Sequence, residues 1–181
     1  MQTQKIGNET CFAIEHTFFD DSHDTEIAMY IAGKNILAFC REEVELTTRW
    51  NLDELTFWLR EFLNHMSNDP YPVDADGEYA ACKDLAARNF DIDDQEVFDA
   101  YYDKLDEWNL RHRWHTASSG AILADVYFQL VNENVEISWN NQEPEDGVIF
   151  KNILGGARIP RDQFYAVVNS FLKEYVEHWD N

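Results

Sequence analysis

Basic residues are scarce in this chain: 14 Lys and Arg stand against 35 Asp and Glu, a net charge of −21 over 181 residues. Such a field repels phosphate backbones and anionic lipid headgroups, so direct binding to nucleic acid or membrane is not expected. Long apolar runs are missing as well. No stretch approaches the roughly 18 uncharged apolar residues of a spanning helix, and residues 1–5 carry no apolar signal core. The expected location is cytoplasmic. Cysteine is limited to Cys11, Cys40 and Cys82, odd in number, widely spaced and without a Cys-x-x-Cys pair, which argues against a disulfide framework or a zinc ribbon.

Catalytic and cofactor motifs are equally thin. The segment Asp20, Asp21, Ser22, His23, Asp24 gathers carboxylates and an imidazole, types that bind cations, but it lacks the glycine and the distal glutamate of an EF-hand loop. It reads as a solvated turn. Glu61 and His65 share a helix face without the second histidine of a zincin helix. Arg111, His112, Arg113, Trp114 and His115 form a local basic patch before Ser118, Ser119 and Gly120, with no Gly-x-Ser-x-Gly elbow. Its place after a long acidic helix suggests helix C-terminal capping, with a contact site or a catalytic role as the alternative. Gly155-Gly156 has no following Lys-Ser/Thr and reads as a hairpin turn. No metal and no cofactor is expected.

What remains is a folding composition, 45% hydrophobic and 14% aromatic, of a length for one domain spanning 1–181. Residues 11–19 alternate with period two, and 26–32 and 35–42 follow as short strands about a Gly33-Lys34 turn. Asn51, with Glu54 three positions on, opens a helix in which Leu52, Leu55, Leu59, Phe62, Leu63 and Met66 form one apolar stripe. It ends before Pro70 and Pro72. Helices at 79–89 and 93–111 follow, the second with an inward stripe of Val97, Tyr101, Leu105 and Trp108. Four strands come next, at 124–130, 135–139, 148–150 and 157–159. Pro160 then opens a last helix with Phe164, Val167, Val168, Phe171, Leu172, Tyr175 and Trp179 at helical spacing. The order βββ-ααα-ββββ-α implies an α+β fold, with antiparallel strands joined into one sheet and helices on one face.

Residues 125–129, 135–141, Ile159-Pro160 and 164–171 together resemble uncharacterised bacterial domains of toxin-immunity or defence neighbourhoods. The similarity covers the last third of the chain and implies no activity and no residue role.

One charge feature exceeds solubility. Between Asp69 and Leu110 thirteen acidic residues face three basic ones (Lys83, Arg88, Lys104). Asp93, Asp94 and Glu96 crowd the start of the third helix, and Asp99, Asp103, Asp106 and Glu107 recur at three- and four-residue spacing along one face. Like charges so spaced destabilise a helix. The expected role is binding a basic protein partner, by an acidic inhibitor or immunity-type protein that blocks a basic surface such as a nuclease's nucleic-acid site. A non-catalytic accessory subunit of a bacterial complex is the alternative, and a metal-assisted hydrolase the third reading.

Overall fold

The computed structural model describes residues 3–19, 22–65, 69–114, 121–142 and 147–179. The chain is α+β, and the described residues form three antiparallel sheets and four helices. The first sheet holds β1 (Thr3–Asn8), β2 (Phe12–Phe19), β3 (Ser22–Ile31) and β4 (Lys34–Asn35), with β7 (Thr48–Asn51) also paired to β3. A small sheet joins β5 (Phe39–Arg41) to β6 (Val44–Leu46) on one side and to β10 (Val148–Phe150) on the other. The third orders β8 (Val126–Val131), β9 (Asn134–Asn140) and β11 (Leu154–Pro160), with β9 in the middle. The two strand groups therefore meet through the three short strands of the middle sheet, where one continuous sheet was expected.

The first group holds seven strands, not three. β1 was missed because its sequence, TQKIGN, is nearly all exposed and has no inward face of its own. Its register comes from backbone pairing to β2, Thr3 to Thr17 through Asn8 to Phe12. Residues 35–42 break at Ile36–Ala38, and the turn before them centres on Ala32 and Gly33, both at positive φ. Pro160 closes β11, and α4 (Arg161–Trp179) starts one residue later.

Gly155 and Gly156 lie within β11, opposite Trp139 and Ser138, and form no turn. A Cβ on Gly155 would stand 2.7 Å from the Trp139 ring, and one on Gly156 2.5 Å from that of Tyr79. The glycine pair lets an aromatic ring lie against each face of the strand.

Helix α1 (Leu52–His65) begins as its sequence indicates, with Asn51 Oδ1 accepting from the Asp53 and Glu54 amides. The Glu54 carboxylate accepts from the Trp50 indole at 3.1 Å. Leu52, Leu55, Trp58, Leu59 and Phe62 enter the main core with Phe164, Val168 and Phe171 of α4 and Phe12, Ile14, Ile27 and Met29 of the first sheet. Phe128 stacks into this core between Trp58, Phe62, Trp114 and Phe164, at centroid distances of 5.0–6.3 Å.

Alternation along β9 decides where the remaining helices go. Val135, Ile137 and Trp139 face the main core, and Glu136 and Ser138 face the other way, yet both are buried. They hold the start of α2 (Ala80–Arg88): Glu136 Oε1 accepts from the Ala80 amide at 2.9 Å and Ser138 Oγ from the Ala81 amide at 3.1 Å. Both acceptors satisfy donors that a helix start leaves free. With α3 (Gln95–His112), α2 encloses a second, smaller core of Tyr71, Ala80, Ala81, Ala87, Leu105, Trp108 and Tyr127. The β8–β9–β11 sheet thus carries helices on both faces, because β9 has a receptor for a helix on the side expected to be bare.

Candidate functional site

Helix α3 is anchored at one end and free at the other. Leu105, Trp108, Asn109 and His112 are buried, whereas residues 95–100 are all exposed, so the first turns project beyond the small core. Val97, expected on the inward stripe, is consequently 55% exposed. Tyr101 is half-buried, and its hydroxyl donates to the Ala87 carbonyl at 3.3 Å.

The anchor is polar as well as apolar. Asp84, 4% exposed on α2, accepts from Tyr71 Oη (3.2 Å), Tyr127 Oη (3.0 Å), Asn109 Nδ2 (3.0 Å) and Arg88 Nε (2.9 Å). Burial, with the Asp84 charge beside them, pushes the hydroxyls of Tyr71 and Tyr127 well above the ordinary tyrosine range. Four donors on one carboxylate tie α2, α3, β8 and the loop before α2 together. Sequence reading missed Asp84, since a single aspartate in an alanine-rich helix carries no signal of its partners.

The basic segment after α3 is used structurally. His112 is buried, stacked on Trp108 at 4.2 Å, with Nδ1 2.8 Å from the Phe128 carbonyl and Nε2 3.3 Å from Asp69. Burial lowers the His112 pKa, against the contrary pull of those two acceptors. At Asp69 burial is outweighed by hydrogen bonds from Arg111 and His112, and the carboxyl lies below its ordinary range. Arg113 pairs with Asp125 at 2.5 Å. These side chains clamp the helix end to β8 and Asp69; His115, Ser118, Ser119 and Gly120 lie outside the described residues. So do Asp20 and Asp21. His23 and Asp24 lie in β3 and meet Asp53 and Arg49 at 3.0 and 3.4 Å. Among the described residues no three His, Cys, Asp or Glu side chains gather as metal ligands.

The seven acidic residues expected to form a ridge divide by what they touch. Asp94 caps α3, accepting from the Glu96 and Val97 amides at 3.0 and 3.1 Å. Asp106 meets Arg88 at 3.2 Å, and Asp99 accepts from Gln95 at 2.8 Å. Asp93, Glu96, Asp103 and Glu107 are exposed and make no ion pair among the described residues. At about 100° per residue, Glu96, Asp99, Asp103 and Glu107 fall on the side of α3 opposite Leu105 and His112.

Aromatic surface borders this ridge. Phe90, 62% exposed, stacks with Tyr101 at 6.0 Å, and Phe98 lies 4.4 Å from Tyr102. Tyr101 separates two concavities. One, of about 250 Å³, is lined by Asp74, Ala75, Asp76, Ala86, Ala87, Phe90 and Tyr101. The other, of about 390 Å³, is lined by Asp94, Glu96, Val97, Ala100, Tyr101 and Lys104. Exposed apolar side chains set among unpaired carboxylates match the anatomy of a protein-binding face.

No family model and no curated protein matches this sequence. Among solved structures, CdiI from Burkholderia dolosa AUO158 is similar with 13% sequence identity, over 94% of this chain and 99% of that chain, at a TM-score of 0.48. No described helix is long and apolar enough to cross a membrane.

Proposed function

We propose that this protein is a non-catalytic binding protein of the inhibitor or immunity type, which uses the projecting half of α3 to occlude a basic surface of a partner protein. The observation that carries the reading is the outward line of carboxylates Glu96, Asp99, Asp103 and Glu107 along α3, together with exposed Val97 and Phe98 on its unpacked first turns and exposed Phe90 shortly before the helix. Carboxylates needed only for solubility would not require exposed rings beside them. Long-range attraction by the ridge sets the encounter rate, and the apolar side chains, once desolvated, set the lifetime. A nuclease's nucleic-acid groove is one surface of matching charge.

The test uses the protein encoded beside this one as the partner. Glu96→Gln/Asp99→Asn/Asp103→Asn/Glu107→Gln should slow association at least tenfold at low salt and change dissociation by less than threefold. The difference should shrink at about 0.15 M salt, where the field reaches only ~8 Å. Asp94 and Asp106 are left intact because they hold the fold. An association rate unchanged at low salt, measured by surface plasmon resonance, would remove the basis of this reading.

A second reading, an accessory subunit of a larger assembly, is favoured by a different observation. Ile149 is exposed on the middle sheet beside Cys40, with Val44 and Leu46 exposed on its edge strand β6. Native mass spectrometry of a tagged chain distinguishes a one-to-one complex from a multi-protein one.

A further inference from the structure

We infer that the cleft between Asp74, Asp76, Phe90 and Tyr101 accepts an arginine side chain of the basic partner; this rests on the binding function proposed above and names the chemistry that its aromatic surface recognises. The cleft is about 250 Å³, below the roughly 300–1,000 Å³ of sites that enclose a small-molecule ligand. It is a side-chain-sized cavity. Its floor is Ala86 and Ala87 of α2, and Tyr101 is fixed there by its hydrogen bond to Ala87.

Both carboxylates line the cleft and are exposed. Ala75 between them packs against the small core. Neither carboxylate makes an ion pair among the described residues. The Phe90 and Tyr101 rings line the same cleft and lie at 25° to each other. A planar cation can rest against such rings while donating hydrogen bonds to carboxylates at its edge. Guanidinium suits this better than ammonium, being planar, weakly hydrated and fork-shaped. The concavity on the other side of Tyr101 has the Lys104 ammonium in its wall beside Val97 and Ala100, which disfavours a second cation there.

The experiment titrates the ¹⁵N-labelled full chain with capped tetra-arginine and tetra-lysine peptides of equal charge at low salt. The arginine peptide should bind roughly two- to fivefold more tightly, the scale of an exposed cation–π contact. Its amide shifts should centre on residues 74–76, 86–90 and 101. Phe90→Leu, at an exposed position, should make the two affinities equal, and Asp74→Asn/Asp76→Asn should weaken both peptides; circular dichroism confirms that each variant is folded. Equal affinities in the wild type, or an arginine preference that survives Phe90→Leu, would overturn the inference. The fourfold ridge variant separates the two ideas. If it weakens both peptides while the wild type shows no arginine preference, the cleft assignment fails and the ridge stands. If it binds both peptides as tightly as wild type and the preference persists, the steering role fails and the cleft stands.

Discussion

Two buried ionisable side chains do opposite things for stability. Asp84 is fully used, with four donors converging on it. Asp84→Ala leaves two tyrosine hydroxyls, an asparagine amide and a guanidinium without their acceptor, and should cost about 3–5 kcal/mol by urea denaturation, the scale for breaking a buried charged pair. His16 is the reverse. It is 1% exposed between Phe18 and Phe171, and neither ring nitrogen has a hydrogen-bond partner. Glu174 lies 3.3 Å from Nε2 but without the alignment of a hydrogen bond. Burial, with His178 nearby, pulls the His16 pKa down from 6.5 to about 4. The unfolded chain therefore binds a proton between pH 6.5 and 4 that the folded chain refuses. The neutral side chain's advantage is complete above pH 6.5 and falls away as pH drops through 4, by about 3 kcal/mol in all. Denaturation of wild type and His16→Phe across this window should show a loss in the wild type that the variant lacks; parallel profiles would show that His16 is not its source.

At the scale of elements, periodic patterns were legible and cross-element demands were not. The stripes of α1 as far as Leu63 and of α4 as far as Tyr175, and the alternation of β8 and β9, lie where spacing places them. The side chains of Met66 and Trp179 fall outside the described residues. Glycine at 155 and 156 misled, because the rings that require it belong to β9 and to the residue before α2. Val97 misled because a helical stripe does not report where the neighbouring element stops. The β5–β6 hairpin was hidden for another reason. Its two turn residues, Glu42 and Glu43, have φ of +50° and +65°. Left-handed conformation is costly for a glutamate, and the tight turn would favour Asn-Gly. Glu42→Asn/Glu43→Gly should stabilise the chain by about 1–2 kcal/mol, read as a higher urea midpoint at unchanged slope. No gain would mean that the native turn is not strained.

For the whole molecule, charge is the dominant property. A net −21 disfavours the approach of a phosphate polymer. The protein should give no shift of duplex DNA or RNA at micromolar concentration in about 0.15 M salt. A retarded band in a gel assay under those conditions would contradict the electrostatic argument. The acidic residues are nonetheless not equivalent. Asp69, Asp84, Asp94 and Asp106 hold the fold through named partners, while Glu96, Asp103 and Glu107 face solvent on α3.

Sequence alone determined the α+β class, most helices, the acidic balance and, except for Asp106, which turns to Arg88, the outward line of Asp99, Asp103, Asp106 and Glu107, because composition and residue spacing are local quantities. Only the tertiary structure decided that β9 seats a helix on its polar face, that Asp84 is a buried hub, and that Phe90 and Tyr101 line one cleft with Asp74 and Asp76. Most of those contacts join residues far apart in sequence, up to 57 positions for Ala81 and Ser138. Nothing in the local pattern of either partner specifies the other; the packing of α2 and α3 against the sheet brings them together.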